Sequence, residues 1–75
     1  MNKYLLSQIQ QILGIRGGNI EVQGSSMFRL VVANTKSENE FIMDSMRKIS
    51  GLVDSLKFQK FPNRDKLIVE ATVEY

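Results

Sequence analysis

The sequence predicts an α+β two-layer sandwich, a four-stranded antiparallel sheet with two helices on one face. Three observations carry that prediction. Apolar residues recur at spacings of three and four in two separate stretches, the helical period. Four other stretches alternate apolar and polar residues, the strand period. The elements fall in the order α-β-β-α-β-β, so the chain reads as two copies of a helix followed by a hairpin. One helix on a two-stranded ribbon is not stable alone, whereas two such units joined through one sheet enclose a core.

Residues 3 to 13 carry Leu5, Ile9 and Ile12 on one side, with Leu6 and Leu13 beside them. Gly14 and the pair Gly17-Gly18 stop this helix. Residues 19 to 24 alternate and predict a strand with Ile20 and Val22 inward, closed by a turn at Gly24-Ser25-Ser26. In residues 27 to 34, Phe28, Leu30 and Val32 face one side. Val31 and Ala33 make this strand apolar on both faces, which predicts a central position.

The stretch Ser37 to Gly51 has the clearest helix signal. Ser37 followed by Glu40 reads as a capping box. Glu38, Glu40 and Asp44 complement the positive end of the helix dipole, and Arg47 and Lys48 the negative end. Ile42, Met46, Ile49 and Val53 form the stripe, widened by Phe41 and Leu52, and Gly51 reads as a left-handed cap or as part of a last irregular turn. Residues 55 to 61 alternate with Leu56 and Phe58 on one face, and Pro62-Asn63-Arg64-Asp65 is a turn. From Lys66 to Tyr75, Leu67, Val69, Ala71, Val73 and Tyr75 face one way, and Ile68, Glu70, Thr72 and Glu74 the other. This order predicts a circularly permuted ferredoxin-like sandwich with the second and last strands central. Lys57 and Lys60 then blunt an edge.

At 75 residues the chain is one domain, residues 1–75, with a modest core and little room for a deep active site. Ten Lys and Arg against eight Asp and Glu give a net charge of +2, too balanced to make nucleic acid the expected partner. The chain has no Cys and no His, which removes thiolate, imidazole and structural-zinc chemistry. No apolar run is long enough to span a membrane, and the first residues turn polar too soon for a signal peptide.

Each candidate for chemistry has a plainer reading. Glu38, Glu40 and Asp44 could be metal ligands, but they read better as dipole-compatible acids. The glycines from Gly14 to Asn19, with Arg16, could cradle phosphate, but phosphate loops precede a helix and these follow one. Arg29, Lys57, Lys60, Arg64 and Lys66 with Phe28, Phe58 and Phe61 could form an RNA-binding sheet, but Phe28 and Phe58 are in register with inward residues. The loop Asn34 to Ser37 has the placement of an acyl-phosphate site but lacks the arginine and glycines. The expectation is a protein without enzymatic activity, cofactor or metal. Val31, Ala33 and Ile68 lie on the sheet face away from the helices, and Met43 lies off the helix stripe. With Phe61, the residues Met43, Ile68 and Val31 are the candidate interface.

A helix-hairpin-helix-hairpin domain of this size resembles the periplasmic domains of the inner-membrane L and M proteins of type II secretion systems, and their type IV pilus assembly counterparts. The resemblance rests on Leu5-Leu-Ser-Gln-Ile9, Ile20-Glu-Val-Gln-Gly24 and Phe28-Arg-Leu-Val-Val32. It continues through Phe41 and Met46, then Gly51-Leu52, and closes on Lys66-Leu-Ile-Val-Glu70. Where L proteins often carry a small pair in the third strand, this chain has Phe58-Gln-Lys-Phe61. The resemblance implies a non-enzymatic scaffold on the periplasmic side of a bacterial inner membrane, anchored by a segment outside this chain. It further implies a homodimer that also pairs with a sister inner-membrane assembly protein. The alternative is a small cytoplasmic regulatory or RNA-binding domain of the same fold.

Overall fold

A computed structural model describes residues 1–75. Its elements are α1 (Lys3–Leu13), a 3-10 turn (Gly14–Asn19), β1 (Glu21–Gln23), β2 (Met27–Ala33), α2 (Lys36–Ser50), β3 (Ser55–Asn63) and β4 (Lys66–Glu74). The sheet order is β1-β2-β4-β3 and every neighbouring pair is antiparallel. This is the predicted α+β sandwich, with β2 and β4 central. No helix is long and apolar enough to cross a membrane.

One core joins the two layers. Leu5, Ile9 and Leu13 of α1 and Ile42, Met46 and Ile49 of α2 pack on Phe28, Leu30 and Val32 of β2 and on Leu67, Val69, Ala71 and Val73 of β4. The helical residues are three or four apart and the strand residues two apart, so each element turns one face to the same interior. Asn2 caps α1 by accepting from the Leu5 N–H at 2.7 Å. Gly14, at φ 62°, ends the helix in a conformation that side chains disfavour.

The structure corrects several element ends. The N-cap of α2 is Thr35, not Ser37: its hydroxyl accepts from the Glu38 N–H at 3.2 Å. The chain leaving β2 is fixed first, because the Asn34 N–H donates to the Asp65 carbonyl. The first residue free to cap is therefore Thr35. Gly51 is right-handed at φ −75°, so it is not a left-handed cap. Its N–H donates to Lys48 O and that of Leu52 to Ile49 O, the tight last turn that was the other expectation.

β1 is only three residues long, and Val22, expected inward, is exposed. It pairs with the buried Phe28 at the sheet edge, and Ile20 only partly packs on the core. Tyr75 is also exposed rather than inward; its hydroxyl donates to Ser25 O at 3.1 Å. Leu52 is exposed beyond the end of α2.

β3 runs through Pro62 and Asn63, leaving a two-residue turn at Arg64-Asp65. Pro62 is tolerated for a geometric reason. Asn63 and Lys66 close the two-residue hairpin, so the odd-numbered residues of β3 direct their backbone groups to β4 and the even-numbered ones direct theirs outward. The nitrogen of Pro62 thus faces the open edge, where no ladder bond is lost.

Candidate interaction surface

The helices cover one face of the sheet and leave the other open. Alternation places Met27, Arg29, Val31 and Ala33 of β2 on the open face. Lys66, Ile68, Glu70, Thr72 and Glu74 of β4 join them, with Lys57, Gln59, Phe61 and Asn63 of β3. The register then sets which of them are neighbours. Val31 pairs with Ile68, and Ile68 with Phe61, so three of the four candidate interface residues form one apolar row across the three longest strands. Val31 is 45% and Phe61 43% exposed, and Ile68 between them is half-buried.

Met43 is not part of that row. It lies on the outer side of α2, on the far side of the helical layer, among Asn39, Glu40, Asp44 and Arg47. The four candidates therefore divide between two surfaces, one apolar row and one isolated methionine in a polar setting.

Polar rows flank the apolar one. On one side Ala33, Lys66 and Asn63 are in register, and on the other Arg29, Glu70 and Gln59. Beyond the latter come Met27, Thr72 and Lys57, which with Gln59 and Glu70 line a shallow depression. Glu21 on β1 sits beside Arg29, with its Oε2 3.8 Å from Nη1, while the Nε of Arg29 is buried without a hydrogen-bond partner. The charges on this face balance: Arg29, Lys57 and Lys66 against Glu21, Glu70 and Glu74.

The other candidates serve the fold. Glu38 is held by Arg16 in a two-pronged ion pair, Nε to Oε2 at 2.6 Å and Nη2 to Oε1. The guanidinium also lies 4.2 Å from the centre of the Phe41 ring. Hydrogen bonding from Arg16 holds the Glu38 carboxyl below the usual carboxylate range, against an opposing desolvation, and the same bonds raise Arg16. Arg16 is thus engaged by a carboxylate, and both oxygens of Glu38 face a guanidinium. No three His, Cys, Asp or Glu residues stand close enough to share a metal ion. Glu38 also lies three residues after Thr35, the spacing of a capping box, but its carboxylate is drawn to Arg16.

Asn34 is also structural. Its side-chain amide donates to Arg64 O at 3.0 Å and its Oδ1 accepts from Asn39 Nδ2 at 3.2 Å. It braces the β3–β4 turn against the start of α2. Of the aromatic residues considered for RNA, Phe28 is buried and Phe58 lies on the helix side, leaving only Phe61 on the open face beside Arg29, Lys57 and Lys66. Sequence reasoning missed the Arg16–Glu38–Phe41 cluster. Glu38 and Phe41 are one turn apart on a helix, which is the only local sign of it.

Comparison with family models, with curated proteins and with solved structures gives no match.

Proposed function

We propose that this chain is a non-catalytic assembly domain that pairs through the open face of its sheet with another copy of itself or with a sister domain. The observation that carries the reading is the uncovered row Val31–Ile68–Phe61 at the centre of that face. Three apolar side chains in register make one contiguous patch rather than the singly scattered apolar residues of an ordinary surface. The element order and the permuted sheet agree with the resemblance to the periplasmic domains of the type II secretion L and M proteins. On that reading the domain stands on the periplasmic side of an inner membrane. A segment outside this chain anchors it, and it acts as a scaffold beside a sister assembly protein.

A single-stranded RNA partner fits this face less well, because Glu21, Glu70 and Glu74 lie among its basic residues. Sedimentation velocity across a wide concentration range tests the proposal. The expected result is reversible association that Ile68→Glu weakens and Met43→Glu leaves unchanged. A strict monomer at high micromolar concentration contradicts pairing with itself. Tight, salt-sensitive RNA binding would replace the assembly reading with the other one.

A further inference from the structure

We infer that the outer edge of β3 takes up an extended acidic segment of a partner protein, which joins the sheet as an added strand. This edge is a different surface from the open face, and the inference does not depend on the assembly reading above. It rests on unbonded backbone groups, on the charge gathered along one strand and on the side chains that flank it.

β3 is the last strand of the sheet, and only β4 pairs with it. Its odd-numbered residues bond to β4, so the N–H and C=O groups of Leu56, Phe58 and Lys60 point away from the sheet. No loop backbone and no side chain of the molecule bonds to these three residues. Their outward groups alternate donor and acceptor, the pattern that a second extended backbone matches. A phosphate backbone offers acceptors only and would leave the carbonyls unmatched. Pro62 sets the limit of the row, because its outward nitrogen carries no hydrogen. The opposite edge of the sheet offers much less: β1 has three residues, and its Glu21 already lies beside Arg29.

The positive charge of the chain is concentrated along β3 and its turn. Residues 55–66 hold Lys57, Lys60, Arg64 and Lys66 against the single acid Asp65, while the other 63 residues hold six bases and seven acids. None of those four bases is in an ion pair. Alternation sets Lys57 on the open face and Lys60 on the helix side, so a base stands on each side of the edge. Lysines on an edge repel a like-charged strand and leave an acidic one welcome. A second copy of β3 laid against the first would bring both sets of bases into one seam.

The flanking side chains specify the occupant further. Every pair in this sheet is antiparallel, and antiparallel pairing is the more stable kind. An antiparallel segment places acids opposite Lys60 and Lys57, three residues apart. Between them it places an apolar side chain opposite Phe58, which is half-buried against the core on the helix side. The pattern, read from the N-terminus of the segment, is acid, any residue, apolar, acid.

The probe is the peptide acetyl-Val-Glu-Thr-Val-Glu-Val-Thr-amide, titrated into the isotopically labelled protein and followed by amide chemical shifts and hydrogen exchange. Its two glutamates stand opposite Lys60 and Lys57. Saturable binding in the micromolar range is expected, with slowed exchange at Leu56, Phe58 and Lys60. N-methylation of the peptide residues opposite those three removes the N–H groups that face β3 and should weaken binding at least about tenfold. N-methylation opposite Lys57 and Gln59, where the N–H groups face away, should leave affinity within about threefold. Lys60→Pro loses no bond within the fold, for the reason that admits Pro62, but removes an outward donor. It should bind more weakly than Lys60→Gln, which removes the charge alone, with both confirmed as folded by circular dichroism. Ile68→Glu, which disables the open face, should bind the peptide as wild type does.

Equal affinity for the two N-methylated peptides would reduce the effect to charge and overturn strand addition. No binding at about millimolar peptide would overturn it as well. Loss of binding in folded Ile68→Glu would move the site from the edge to the open face. A uridine oligonucleotide that displaces the peptide and binds more tightly would replace the acidic segment with nucleic acid.

Discussion

Gly17 and Gly18 are neighbours in one turn, yet substitution by alanine should have opposite effects. A Cβ on Gly17 would lie 2.5 Å from the carbonyl oxygen of Gln10, 2.7 Å from its Cα and 3.0 Å from its carbonyl carbon. These are backbone atoms of α1 and cannot swing aside, whereas ordinary contacts begin near 3.4 Å. The 3-10 turn would have to lift off the helix by roughly an ångström, an overpacking cost of about 1–3 kcal/mol. Arg16 is the preceding residue, so the same shift would loosen its hold on Glu38.

A Cβ on Gly18 meets nothing within 4 Å, and its φ lies outside the left-handed region. Gly18→Ala should therefore stabilise by about 0.4–1 kcal/mol through the reduced freedom of the unfolded chain. Urea unfolding followed by circular dichroism measures both. For a domain of this size each kcal/mol moves the melting temperature by about 4–8 °C. Equal midpoints for Gly17→Ala and wild type would refute the close approach of the turn to α1.

Three further outcomes can be measured on the same apparatus. Asn34→Ala removes the bonds to Arg64 O and from Asn39, and should cost about 1–2 kcal/mol in urea unfolding. Arg64 is the one non-glycine residue at positive φ, 58°. Arg64→Gly should relieve about 1–2 kcal/mol of left-handed strain and lose about 0.5–1 kcal/mol to chain freedom, a net gain visible as a higher melting temperature. Glu38→Gln should destabilise near neutral pH. Because the folded Glu38 carboxyl is held below its ordinary value, its contribution is complete above the ordinary glutamate range, about 4.3. It is lost as pH falls through the lower folded value. Melts of wild type and variant should therefore converge in acid, and a constant difference down to about pH 2 would contradict the ion pair.

The parts of this fold that were legible in the sequence are those written in local periodicity. Leu5 and Ile9 lie four apart, with Leu13 rather than the expected Ile12 completing the buried stripe, and Leu67, Val69, Ala71 and Val73 lie two apart. Such spacings determine which side of an element is buried, whatever packs on it. What the sequence did not disclose depends on distant partners. Thr35 rather than Ser37 caps α2 because Asn34 is tied to the turn at Arg64-Asp65, thirty residues away. Pro62 belongs to a strand because β3 is an edge, and edges are set by topology. Val22 and Tyr75 fit their alternation but lie where no helix covers them.

The interaction surface divides in the same way. Alternation alone puts Val31 and Ile68 on the uncovered face, while only the register of β2, β4 and β3 makes them one row with Phe61. That register depends on the two-residue turn, which the sequence reading placed over four residues. Met43 was grouped with them because an off-stripe helix residue shows that it is outward, not which way outward is.

The central claim is that the uncovered sheet face, not the helical layer, is where this domain meets its partner. Backbone amide chemical shifts recorded over a dilution series of the wild-type protein test it most directly. Concentration-dependent shifts are expected at Val31, Ile68 and Phe61 and along the flanking rows, with the outer side of α2 around Met43 unchanged. Shifts centred on Asn39, Met43 and Arg47 with a silent sheet face would contradict it.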